Sequence, residues 1–348
     1  MARFPKPYPA ILITFLSVLA LGILSACSSP QNTFDTHADA ADNILTIYII
    51  VLVAASLVGA AVLVAMAWLL IKFRDRPGAV ARQIHGNIKL EIAWTIAPIF
   101  VLLIIGIPTM FWVKGTTDEP DADVIEVLAT GHQWWFEFEY PGLGPDGESL
   151  FTANELRVPV GRQVAVTLES DDVIHSFWVP QLVGKTDMVP GNTNHLQKFT
   201  PGSIGSFYGQ CAEFCGSAHA LMRFRVHVDS LADWSRWVAS MNEPPAEPEP
   251  GSKEAAGKLA FAGCSGCHTI QGTTAQGKVG PDLTLLGDRS TLAAGIMENT
   301  DENLTAWIKD VRSIKPIPDS PRFMPSFTTM PDETIENITA YLRSSKIR

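Results

Sequence analysis

Hydrophobic positions crowd the first third of the chain and then change period. Ala10–Ala26 is a short apolar run behind Arg3 and Lys6. Ile44–Ile71 and Ile92–Val113 contain no charged residue, and each exceeds the roughly 20 residues that cross a bilayer as a helix. Both are apolar on every face, so they predict two membrane spans. Between them Lys72, Arg74, Arg76, Arg82 and Lys89 outnumber Asp75. Excess basic residues stay in the cytoplasm, which places everything after Lys114 outside. The first run ends Leu24-Ser-Ala-Cys27. A basic start, an apolar centre and small residues before the cut describe a secretory signal over residues 1–26; the alternative is an uncleaved membrane helix.

From Val124 the pattern turns to short strand-like runs: Val124–Ala129, Trp134–Tyr140, Val164–Leu168 and Phe224–Val228. Pro-Gly and Gly-Pro pairs punctuate them, which predicts an all-β sandwich or barrel over 117–240. Asn242–Gly251 is rich in Pro and Glu, a semi-extended linker over 241–250. Beyond it, Lys253–Ala262 and Thr334–Arg343 read as helices, the second with Ile335, Ile338, Tyr341 and Leu342 on one face. The expected fold is multi-domain: a two-helix transmembrane hairpin within 27–116, an all-β domain, and an all-α domain over 251–348.

Of the 348 residues 47% are apolar and the net charge is −10. Residues 117–250 hold 20 Asp+Glu against 7 Lys+Arg, whereas 251–348 hold 11 of each. An acidic middle segment disfavours nucleic acid and suits a basic protein partner, or is a solvated face. The five cysteines each have a candidate role, leaving no pair for a disulfide. Cys27, behind small residues, resembles a lipoprotein acylation site.

The chemistry begins at Cys211-Ala-Glu213-Phe-Cys215-Gly-Ser-Ala-His219-Ala-Leu-Met222, with His175 upstream in Asp172-Val-Ile-His175-Ser. Thiolate, thioether and imidazole are ligands for copper or zinc rather than for hard cations. One copper needs one thiolate, so two thiolates, two histidines and a methionine fit two coppers that share both sulfurs. Structural zinc and a mononuclear blue copper are the alternatives. Further on, Cys264-Ser-Gly-Cys267-His268 is a covalent haem c attachment sequence, with His268 under the iron. Met297, Met324 and Met330 are candidates for the sixth ligand. Met324 is favoured because it lies on a Pro-rich loop, 315–325, free of regular structure. Met297 falls in an expected helix, and Met330 at the start of the last one.

The Cys-x-Glu-x-Cys-x3-His-x2-Met pattern, Asp172-Val-Ile-His175-Ser, Gly131-His-Gln-Trp134, Leu182-Val-Gly-Lys185-Thr-Asp187 and Glu91-x-x-Trp94 together resemble cytochrome c oxidase subunit II over residues ~40–240. Gly280-Pro-Asp-Leu283, Met324-Pro and Tyr341-Leu resemble a class I cytochrome c over residues ~251–348. The resemblance implies a cupredoxin domain with a dinuclear CuA centre. His175, Cys211, Cys215, His219, Met222 and the Glu213 carbonyl would be its ligands. The Glu213 carboxylate would meet a magnesium ion at the contact with subunit I. Trp134 would be the surface tryptophan that takes electrons from cytochrome c, and Glu91 would mark the mouth of a proton channel, where an interfacial anchor is the bland alternative. Lys185 and Asp187 would belong to the subunit contact, and the Pro281 carbonyl would orient His268. Fusion of the two modules resembles the caa3-type haem–copper oxidases. It implies electron flow from haem c to CuA to subunit I, where oxygen is reduced. Expected partners are subunits I and III, membrane lipid, and a donor such as cytochrome c or a quinol–cytochrome c reductase. The expected place is a bacterial plasma membrane with both soluble domains outside. A CuA-bearing nitric oxide reductase subunit and a non-catalytic membrane copper-binding lipoprotein are the rival readings.

Overall fold

The computed structural model describes residues 29–348 apart from 75, 76, 79, 81–84 and 116–120, together with 14, 17 and 18. Cys27 and almost all of the signal segment lie outside these residues. Two helices among the described residues are long and apolar enough to cross a membrane: α1, Asp39–Lys72, and α2, Ile88–Gly115. Both begin ahead of the charge-free runs. Hydropathy marks the apolar span, whereas the helix start is set by polar groups that meet unpaired backbone amides. Asp39 and Asp42 occupy the first turn of α1, where carboxylates suit the positive end of the helix dipole. Asn87 Oδ1 accepts from the amides of Lys89 and Leu90 at the start of α2. Pro98 and Pro108 sit inside α2, as membrane helices tolerate.

Ahead of α1 the chain is sewn onto the β domain. His37 N donates to Gln181 O at 2.8 Å, and Gly202 N returns a bond to His37 O at 2.8 Å. Thr200 N donates to Asp39 Oδ1 at 2.7 Å. Ala38 and Ala40 are part of the sandwich core, so the span and the extracytoplasmic domain are joined by packing as well as by chain.

Ten strands follow: β1 Ile125–His132, β2 Trp135–Tyr140, β3 Leu150–Ala153, β4 Glu155–Pro159, β5 Val164–Ser170, β6 His175–Val179, β7 Val183–Met188, β8 Asn194–His195, β9 Gly205–Cys211 and β10 Arg223–Asp229. They form two five-stranded sheets, ordered β3-β2-β1-β5-β8 and β4-β10-β9-β6-β7. The β1–β5 and β4–β10 pairs are parallel. Alternation on β2 turns Phe136, Phe138 and Tyr140 inward. Phe136 and Phe177 each place their rings 4.7 Å from that of Phe224, an aromatic centre between the sheets. Gly209 faces that cluster, and a Cβ there would lie 2.3 Å from the Phe224 ring. A closing helix α3, Leu231–Met241, is capped by Ser230 and lays Trp234 and Trp237 on Tyr140.

The Pro/Glu segment has neither helix nor strand, but it is not a free tether. Pro244 packs so closely on Gly272 (φ +74°) that a Cβ at Gly272 would lie 2.6 Å away. Arg348 reaches back from the C-terminus to Pro244 O at 2.9 Å. The last domain carries α4 Lys253–Ala260, a hairpin of β11 Thr291–Leu292 and β12 Met297–Glu298, α5 Asp301–Lys309, α6 Val311–Ile314 and α7 Asp332–Ser344. Helix α4 crosses α7 at Gly257, where a Cβ would lie 1.8 Å from Asn337 O. Ile335, Ile338, Tyr341 and Leu342 are buried as their spacing predicts. Met297 is on a strand, not a helix: Ala293, Ala294 and Gly295 all take positive φ and turn the chain back on itself.

The two extracytoplasmic domains pack directly on each other. Leu285 enters the sandwich core, with Ile317, Phe323 and Ile347 against it. Glu155, 4% exposed, pairs with His227 at 3.1 Å. It also accepts from the backbone amides of Ser290 at 2.8 Å and Thr291 at 2.9 Å, and from both hydroxyls. Burial alone would raise its pKa, but these partners, His227 foremost, hold the carboxyl down at about 2. Arg225 Nη2 donates to Gly295 O, and Arg289 Nη1 to Ala153 O.

At the same interface Glu137 is pushed the other way, up to about 7, by burial first and then by Glu139 and Asp282, with Asp171 adding and Lys278 opposing. The folded state therefore holds a proton that the unfolded chain releases near 4.5. Stability should fall as pH rises between those values. Glu137→Gln should flatten that slope in denaturant unfolding followed across the window; an unchanged slope would mean that the carboxyl does not couple to folding.

Candidate metal centres

His175 opens β6 and Cys211 closes β9, two neighbouring antiparallel strands that pair Phe177 with Cys211. The strand begins at His175 itself, because pairing with Met188 on β7 starts there. Cys215 comes from the loop after β9, His219 from the short turn His219–Leu221, and Met222 from the residue before β10. One donor atom each from His175, Cys211 and Cys215 lies within 4.8 Å of the others. Cys211 Sγ is 3.8 Å from Cys215 Sγ and 3.9 Å from His175 Nδ1. Cys215 Sγ is 3.6 Å from His219 Nδ1 and 3.8 Å from Met222 Sδ. Ligands roughly 2.0–2.3 Å from a shared ion at near-tetrahedral angles stand about 3.3–3.8 Å apart. The donors therefore fit metal held between them, with the two sulfurs in the middle. The Glu213 carbonyl lies 3.2 Å from Cys211 Sγ, and its carboxylate is exposed.

The surroundings orient this set. His175 Nε2 is 2.8 Å from Asp172 Oδ1, which leaves Nδ1 facing the sulfurs. Asp172 also accepts from the Gln133 and Val173 amides at 2.7 Å. Burial opposes charge on both members of the pair, yet their mutual hydrogen bond prevails, raising His175 and lowering Asp172. Gly131 is needed here because a Cβ would lie 2.8 Å from the imidazole Cδ2. Gln133 Nε2 and Trp134 Nε1 both donate to Cys215 O, at 2.8 and 3.0 Å. The Cys215 thiol, bonding to its neighbour, keeps Cys211 well below the usual thiol range and is itself pushed up.

Trp134 is not at the surface. It is 5% exposed, because the Phe323 ring stacks on it with centroids 5.4 Å apart and planes 13° apart. Lys315 Nζ donates to Trp134 O at 2.6 Å, and burial pushes that lysine down to about 7. Ser217 Oγ donates to Pro316 O at 2.8 Å. All of these partners come from the loop of the last domain that carries Met324.

In the second centre His268 Nδ1 is 2.8 Å from Pro281 O, the partner expected from Gly280-Pro-Asp-Leu283. A Cβ at Gly280 would lie 2.7 Å from the imidazole, so only glycine lets the loop approach. Burial lowers the His268 pKa, keeping the ring neutral as an iron ligand requires. Cys267 is exposed and Cys264 half-buried. With Nδ1 engaged, Nε2 is the nitrogen left for iron, and the residues fit a covalent haem. Met297, Met324 and Met330, like Cys264, pack against the core of the last domain. Lys185 and Asp187 alternate outward on β7, both exposed, with Lys185 Nζ 5.7 Å from the Trp178 ring centroid. Glu91 is in the first turn of α2.

Residues 20–111 match the family model for the cytochrome c oxidase subunit II transmembrane domain, 144–229 that for its periplasmic domain, and 254–346 that for cytochrome c. Cytochrome c oxidase subunit 2 of Alkalihalophilus pseudofirmus is 36% identical over 95% of this chain and 96% of its own. The chain belongs to the cytochrome c oxidase subunit 2 family. The Bacillus sp. PS3 subunit 2 is also 36% identical, over 79% of this chain and 80% of its own. The periplasmic domain of subunit II of cytochrome oxidase (CoxB) of Bradyrhizobium japonicum is 31% identical over 36% of this chain and 95% of that one, with a TM-score of 0.32. As a subunit 2 with a cytochrome c domain, this membrane protein serves respiratory electron transfer. It carries CuA copper and haem c and associates with subunit I. Those features favour the oxidase over a nitric oxide reductase subunit or a copper-binding lipoprotein.

Sequence reasoning left Asp172 without a role although it lies in a quoted motif. It gave no role to Gln133, Glu155, Lys315 or Phe323. Gln133 had a signal, its place in Gly131-His-Gln-Trp134. The other three had none, since their partners are remote in sequence.

Proposed function

We propose that His175, Cys211, Cys215, His219, Met222 and the Glu213 carbonyl hold the copper pair, that Cys264 and Cys267 carry the haem, and that His268 and Met324 are its axial ligands. When bound, the coppers and haem supply one-electron redox chemistry. The chain's own residues set where that chemistry happens. Asp172 fixes the His175 tautomer, Gly131 leaves room for its ring, and Gln133 and Trp134 hold the Cys215 carbonyl. The observation that carries the reading is the spacing of soft donors around two sulfurs 3.8 Å apart.

The Glu213 carboxylate would bind magnesium against subunit I, beside a contact that includes Lys185 and Asp187. Glu91 would open a proton path, and Trp134 would pass electrons to the copper pair. Subunit III and an upstream donor, a cytochrome c or a quinol–cytochrome c reductase, complete the assembly. It would sit in a bacterial plasma membrane with Cys27 acylated. The boundaries 27–116, 117–240 and 251–348 describe the three working parts.

The test is a reduced-minus-oxidised spectrum of the complex isolated through this chain, with oxygen uptake on the same sample. Bands of haem c and a-type haem with cyanide-sensitive uptake are expected. Haem c with b-type haem alone, consuming nitric oxide but not oxygen, would overturn the reading.

A further inference from the structure

Resting on the copper and haem assignments above, we propose that Phe323 is the bridge by which an electron leaves the cytochrome domain for Trp134 and the copper site. Phe323 and Met324 are adjacent yet face opposite domains. Phe323 packs against the sandwich core, whereas Met324 packs against the core of the cytochrome domain. The Phe323 ring lies nearly parallel to the Trp134 indole, 5.4 Å between centroids. Trp134 Nε1 then bonds the carbonyl of Cys215, a copper ligand, at 3.0 Å. Ring-to-ring contact and one hydrogen bond thus link the residue next to Met324 to the backbone of Cys215.

Electronic coupling falls steeply across empty space and less steeply across contacts and bonds, so such a chain is a fast route. Lys315 on Trp134 O and Ser217 on Pro316 O hold the loop in place. Trp134 is thereby closed to a soluble donor and open to this chain's own haem domain. With haem and copper bound, the step would be a bare transfer: one electron given up by a ferrous haem would be taken up by the copper pair, with no bond formed or broken and no proton moved.

The experiment compares the parent complex with Phe323→Leu and Phe323→Tyr. After flash reduction of haem c, the copper band is followed for a single electron. Backbone hydrogen exchange of residues 315–325 is measured on the same samples. The expected result is a several-fold slower transfer in Phe323→Leu and a rate near the parent in Phe323→Tyr. Loop protection and both metal spectra should match the parent in each. Parental rates in Phe323→Leu would overturn the proposal. So would slowing accompanied by lost loop protection, since the ring would then act only in docking. A parent complex lacking the haem c or copper bands would instead overturn the assignments beneath it, and that is read before any variant.

Discussion

Cys215→Ser should abolish the dinuclear copper centre. Cys215 lies 3.6–3.8 Å from Cys211, His219 and Met222, so its sulfur is the common neighbour of three other donors. A serine oxygen is hard, protonated at neutral pH and a poor copper(I) ligand. Copper content should fall to at most one ion per chain, and electron transfer out of the cytochrome domain should stop. The fold should persist, because Cys215 sits at the end of the sandwich rather than in its aromatic centre. Metal analysis together with far-ultraviolet circular dichroism would check both halves. Two coppers retained in a folded Cys215→Ser chain would show that the thiolate pair is not the bridge. Zinc with full occupancy in the parent would point instead to a structural site.

Glu155→Ala should loosen the cytochrome domain from the sandwich. The carboxylate is buried and accepts from two amides and two hydroxyls of Ser290 and Thr291 while pairing with His227. Removing a buried carboxylate that accepts these bonds leaves its donors unsatisfied, at a cost of about 1–3 kcal/mol for each group left unpaired. Much of that loss falls on the interface, because the orphaned donors lie on both sides of it. Hydrogen exchange at Ser290, Thr291 and the 315–325 loop should accelerate, with the interior of the sandwich unaffected. Uniform loss of protection throughout both domains would mean that Glu155 serves global folding and not docking. Severing the Pro/Glu segment should matter less than Glu155→Ala, since Pro244 and Arg348 already tie that segment to its neighbours. A turnover loss after cleavage larger than that of the variant would restore the tether as the main device.

The primary sequence determined what depends on local composition and short spacing. Charge-free runs marked the two spans because a bilayer demands some twenty apolar residues whatever packs around them. The soft donors of Cys211–Met222 and the Cys264–His268 motif were readable because ligand chemistry and attachment chemistry are written within a few residues. The 3.6-residue spacing of α7 named its buried face before any fold was known.

Strands β3, β4 and β6–β9 escaped notice because short strands with mixed residues are defined by their partners. The Pro/Glu stretch reads as a tether from composition alone, and only the packed chain shows it held down. Trp134 was read as an exposed electron port, since nothing near it in sequence says that Phe323, almost two hundred residues on, will cover it. The Glu155 cluster is the same case, its partners lying some 135 residues away. Which domains meet, and through which face, is a matter of long-range packing between surfaces. Those surfaces exist only once each domain has folded, and a linear pattern does not encode them locally.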